Sequence, residues 1–173
     1  MERPQNDEYN SYYGLYVNQA PEGDLFEILN SEMQRTLDLL SPLSEDQDAH
    51  RYEEGKWSVK EVLGHILDTE RIFAIRALSI ARGETADLPG MDQDVYADNS
   101  NAHHRPLADL LEEYQLLRRS NIALFRGLDP KTALLRGRAS GFEFTVRSFL
   151  WIIVGHEIHH RRVLEERYLP VAA

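Results

Sequence analysis

The chain has 173 residues, 42% of them hydrophobic and 28% charged, with a formal net charge of −10 and no cysteine. That length suits one well-buried domain, read here as 1–173 with residues 1–22 as an N-terminal arm. The acidic balance disfavours a nucleic-acid partner, because such affinity comes largely from neutralising phosphates, and the lack of cysteine excludes disulfides, thiolate ligands and a cysteine nucleophile.

No apolar run reaches the roughly 18 to 20 residues that span a bilayer, so no membrane partner is expected. The opening MERPQNDEYNSYY has no hydrophobic stretch of the secretory kind, which makes the cytoplasm the default location. Its tyrosines predict an arm packed on the domain. The first helix is predicted from about Asp24 to Leu40, where Leu25, Ile28, Leu29, Leu37 and Leu40 recur at helical spacing, and Pro42 ends it. The second starts at Ser58, since Ser58-Val59-Lys60-Glu61 has capping-box spacing with Trp57 and Val62 placed as a hydrophobic staple, and it ends near Arg82-Gly83.

Pro106 opens the third helix, which buries Leu107, Leu110, Leu111, Tyr114, Leu117 and Phe125 and ends at Gly127. Thr145 caps the fourth, expected to be the longest, whose stripe of Phe149, Ile152, Ile153, Val163 and Leu164 continues to Leu169-Pro170. No segment shows the sustained alternation of a half-buried strand. The basic pairs Arg118-Arg119 and Arg161-Arg162 read as solvated helix faces. The 83–105 connection is long for a bundle turn and can cross the height of the domain, which gives an all-α four-helix bundle of up-down-down-up order with helices two and four antiparallel.

Seven histidines are present, and three of them converge in this scheme. His156 and His160, four apart on the fourth helix, have β-carbons about 5–6 Å apart on the face that carries the apolar stripe. His65 points inward from the second helix, flanked by Val62, Ile66 and Thr69. With about 1.5 Å of rise per residue, His65 lies roughly 10 Å from the start of its helix and His160 roughly 12 Å from the end of the fourth, so antiparallel helices bring them level. Inward imidazoles need partners, and one divalent ion would serve all three. Three nitrogens and no thiolate favour zinc or nickel, with iron, copper or manganese also compatible, and leave coordination positions open. His50, His103 and His104 fall in loops, and His159 lies on a different face from His160.

His156-Glu157-Ile158-His159-His160 also satisfies H-E-x-x-H, the metalloprotease motif in which the glutamate is the base. Only 13 residues follow His160, and no strand precedes the motif, so that reading is set aside. Glu157 is expected to be an exposed helical glutamate, with orientation of a ligand or water as its other role.

The run Lys56-Trp57-Ser58-Val59-Lys60-Glu61-Val62-Leu63-Gly64-His65, with Arg82-Gly83, Leu88-Pro89-Gly90, Gly155-His156-Glu157-Ile158-His159-His160 and the arm leading to Pro21-Glu22-Gly23-Asp24, resembles the DinB/YfiT-like superfamily in order and spacing. The resemblance implies an up-down-down-up bundle with a three-histidine metal site, carried over to His65, His156 and His160. It also implies metal-dependent hydrolysis or transfer chemistry with a low-molecular-weight thiol, and homodimers occur among such proteins. A metal-dependent enzyme acting on a small molecule is the expectation, its ion activating water or a thiol cosubstrate. A noncatalytic metal- or ligand-binding stress-response module is the alternative. Met91, Asp92, Gln93 and Tyr96 read as ordinary loop residues, with cover over the site as their other role.

Overall fold

The tyrosine-rich start folds as a 3-10 turn, Ser11–Tyr13, that runs into one helical turn, α1 (Gly14–Val17). In this computed structural model, where residues 1–169 are described, four long helices follow, three of them started by side-chain caps, of which the sequence marks Ser58 and Thr145. The Asp24 carboxylate accepts the N–H groups of Phe26 and Glu27 and opens α2 (Leu25–Leu40). After the single turn α3 (Glu45–Asp48), Ser58 and Glu61 form a reciprocal capping box at the head of α4 (Val59–Ala81). Beyond the short α5 (Gln93–Asn99), α6 (Leu107–Arg126) begins after Pro106, which has no side-chain cap. Thr145 Oγ1 accepts the Ser148 N–H and opens α7 (Val146–Val163).

The longest helix is α4, with 23 residues against 18 in α7. The expectation for the fourth helix is corrected because its stripe leaves α geometry: Leu164–Tyr168 forms a π turn that keeps Leu164 and Tyr168 buried. The Tyr168 hydroxyl donates to the Trp57 carbonyl at 2.9 Å, which ties this end of the chain to the approach to α4. Pro170, the last residue of the expected stripe, lies outside the described residues.

A small sheet corrects the expectation of no strands. β1 (Asp87–Leu88) pairs parallel to β2 (Arg136–Ala139), which pairs antiparallel to β3 (Phe142–Thr145). These strands are two and four residues long, too short to alternate visibly. Ser140 (φ 55°) and Gly141 (φ 82°) form the two-residue turn between β2 and β3, and positive φ at both positions matches the right-handed twist of a hairpin.

Two apolar clusters fix the helix directions. One joins Leu25 and Leu29 of α2 with Ile80 of α4, Phe125 of α6 and Phe149 of α7. The other joins Leu40 of α2 with Val59 of α4, Leu107 of α6 and Leu164 beyond α7. The starts of α2 and α7 therefore lie with the ends of α4 and α6, an up-down-down-up order. Between α4 and α6 the chain passes from the first cluster to the second. No described helix is long and apolar enough to cross a membrane.

Candidate metal centre

His65 stands two turns into α4 and His156 and His160 stand one turn apart on α7, the two helices that pack most extensively on each other. Their rings meet between the helices. The Nε2 atoms of His65 and His156 are 3.0 Å apart. Ring centroids are 4.8 Å apart for His65 and His160 and 4.4 Å for His156 and His160. One nitrogen from each ring lies within 4.8 Å of the others. Nitrogens bound tetrahedrally at about 2.0–2.1 Å are roughly 3.3 Å apart, close to the 3.0 Å between His65 and His156.

The electrostatics favour the same role. Burial holds His65 down at about 4. Burial, and then the charges of His65 and His159, hold His160 at about 3. Burial drives His156 well below the usual imidazole range, with His160 and His65 adding to it. All three are neutral at pH 7, the state in which an imidazole nitrogen offers a lone pair to a metal.

Aromatic rings enclose the cluster. Trp57 lies 4.9 Å from His65, and Tyr16 of α1 meets His156 edge-on at 5.2 Å and His159 at 5.5 Å. The arm is fastened near this point. Arg3 donates to the Val17 and Ala20 carbonyls, and its guanidinium lies 4.6 Å from the Trp151 ring centre. His160 and His159 line a cleft of about 440 Å³, with Trp57 and Asp94 also on its walls.

Glu157 corrects the sequence reading, because it is fully buried rather than exposed. Its Oε1 accepts from Thr36 Oγ1 at 2.7 Å and from the Tyr114 hydroxyl, and its Oε2 lies 2.7 Å from Arg118 Nη1. A carboxylate committed in this way is not a general base, which removes the metalloprotease reading. Arg118 is likewise fully buried, not on a solvated face. It grips Glu70 through Nε and Nη2 at 2.9 and 2.8 Å and donates Nη1 to the Leu29 carbonyl. Arg161 is mostly covered too, paired with Glu32. Helical periodicity puts these cations on inward faces, but only the tertiary fold reveals the carboxylates that compensate them.

His50, His103 and His104 are exposed and outside the cluster, and His159 is half-buried beside it. The His103 and His104 rings lie 3.8 Å apart, tilted by 45°. Of the 83–105 connection it is Asp94, not Met91, Asp92, Gln93 or Tyr96, that lines the cleft. Asp92 instead caps α5.

No match was found among functionally curated proteins. Among solved structures, YfiT from Bacillus subtilis superposes with a TM-score of 0.72 at 17% identity, over 92% of this chain and 87% of its own. YfiT is described as a probable metal-dependent hydrolase with an unusual four-helix bundle topology. YjoA, a DinB-like protein of the same organism, superposes with a TM-score of 0.50 at 19% identity, over 90% and 87% of the two chains. The sequence profile of the DinB superfamily matches residues 28–164, from the first turn of α2 past the end of α7, and the chain belongs to that superfamily.

Proposed function

We propose that this protein is a metal-dependent enzyme acting on a small molecule, that His65, His156 and His160 hold its one divalent ion, and that the reaction is a hydrolysis. The observation that carries this is the meeting of three neutral, largely buried imidazoles within 4.8 Å, with no carboxylate among them. Three protein nitrogens leave coordination positions free, as in catalytic rather than structural sites, and suit zinc or nickel. The fold likeness to YfiT, described as a probable metal-dependent hydrolase, supports the same reading.

A bound divalent ion supplies Lewis acidity that polarises a substrate and makes a water or a thiol more acidic. The chain's own residues set the surroundings. Tyr16 and Trp57 cover the rings of His156 and His65 and keep bulk water from them, while His160 is partly open to the cleft. His159 is held below its ordinary range by burial and by Arg162, so its ring is a neutral proton acceptor on the cleft wall at pH 7.

The test is turnover by purified zinc- or nickel-loaded protein against a panel of small esters and amides, with and without an added thiol. Hydrolysis predicts turnover without thiol that disappears on chelation. Turnover strictly dependent on bacillithiol, mycothiol or glutathione would replace hydrolysis by thiol transfer, and no turnover with a fully protein-coordinated ion would favour a binding module.

A further inference from the structure

Several cations on the elements that frame the cleft are neutralised. Arg51 pairs with Glu61 at 2.7 Å, Lys60 with Asp48 at 3.3 Å, and Arg161 with Glu32. Lys56 and Arg167, both exposed, are different. They line the cleft beside His160, and neither forms an ion pair among the described residues. Arg167 is held in place by an aromatic ring instead: its guanidinium lies 5.5 Å from the Tyr52 ring centre and reaches the Tyr52 hydroxyl at 3.4 Å. Tyr52 in turn packs edge-on against Tyr168 at 4.8 Å.

Among the described residues the cleft therefore carries two cations without an ion pair against one carboxylate, Asp94, in a protein whose formal charge is −10. A local field opposite to that of the whole molecule concentrates ligands of the complementary sign. The apolar faces of Trp57, Tyr52 and Tyr168 line the same space. Arg167 follows His160 by seven residues, roughly two helical turns along the chain, so the Arg167 and His160 positions stand at different heights on the cleft wall.

We propose that this cleft binds a small organic anion, its carboxylate or phosphate held by Lys56 and Arg167 and its apolar body against Trp57 and Tyr52. Its reactive end then lies toward His160, an orientation that rests on the reading of the cleft as the way into the metal centre. The anion grip itself stands on side chains alone.

Isothermal titration of the metal-free protein at low salt, with 3-phenylpropionate, phenyl phosphate and the uncharged 3-phenylpropionamide, tests it without a contribution from the ion. We expect one or both anions to bind about tenfold more tightly than the amide, and the ranking of the two identifies the anion. The preference should shrink as salt is raised. It should vanish in the double variant Lys56→Met, Arg167→Met, with zinc uptake and helical circular dichroism unchanged. Single Lys56→Gln and Arg167→Gln variants, each at an exposed position, should lose part of the preference and serve if the double variant does not fold.

Equal affinity for amide and anions, or a preference that survives both substitutions, would overturn the proposal. Zinc uptake separates the two ideas. A wild-type protein that takes up zinc but shows no anion preference defeats this inference alone. One that prefers anions but takes up no zinc leaves the grip standing and defeats the metal reading.

Discussion

Gly64 and Gly155 each stand one position before a histidine of the cluster, and each lets another segment press on its helix. A Cβ at Gly155 would lie 1.9 Å from the Tyr16 carbonyl oxygen, and one at Gly64 would lie 2.9 Å from Ala102 Cβ. The arm thus sits directly on α7 backbone, which is how Tyr16 comes to lie beside His156. Gly155→Ala should displace the arm and cost about 1–3 kcal/mol as an overpacked contact, read by urea denaturation, and should speed proteolysis within residues 1–20. An unchanged midpoint with an equally protected arm would contradict that packing. Glu157 is the second sensitive position. Glu157→Ala strips a partner from a buried arginine and leaves the Tyr114 and Thr36 hydroxyls unpaired, so about 3–5 kcal/mol should be lost. A loss within about 0.5 kcal/mol, as for an ordinary surface site, would contradict the buried network. The sequence shows both glycines and this glutamate, but what presses on them comes from segments more than 35 positions away.

At the scale of elements, the four bundle helices were legible because their signals are local. Capping oxygens at Asp24, Ser58 and Thr145, apolar spacing along each helix, and Gly83 at φ +91° just past α4 all act within a few residues of where they are read. The hairpin was not, since its strands are only four residues long and one pairs with residues 87–88, far back in the chain. The π turn after α7 was hidden because its apolar residues keep nearly the spacing of a helix. The arm is fastened to the hairpin and α7 by Glu8, which accepts from Thr145 Oγ1 and pairs with Arg147. Hydrogen bonding from Arg147 holds the Glu8 carboxyl at about 2, below its ordinary 4.5. A carboxyl depressed in the folded state contributes stability above about pH 4.5 that is lost as pH falls toward 2. Across that window wild type should therefore lose more stability than Glu8→Gln does, measured by denaturant midpoints at several pH values. Parallel loss in the two proteins would contradict the fastening role.

For the whole molecule, the up-down-down-up order makes the site. It sets α4 antiparallel to α7, so that a histidine two turns from the start of one meets a pair near the end of the other. Spacing, rise and inward faces, which depend on helix geometry alone, together with the antiparallel order implied by the long 83–105 connection, made that convergence readable from the sequence. The cleft, its two cations and its aromatic walls were not readable, since they come from the approach to α4, from α5 and from the π turn. The proposed chemistry depends on one divalent ion bridging α4 and α7. The most direct test is stoichiometric metal content by elemental analysis after zinc or nickel loading and gel filtration, for wild type and the His65→Ala, His156→Ala, His160→Ala, His159→Ala and His103→Ala variants. About one ion per chain is predicted in wild type, His159→Ala and His103→Ala, with near-complete loss in the other three; equal content in all six proteins would contradict it.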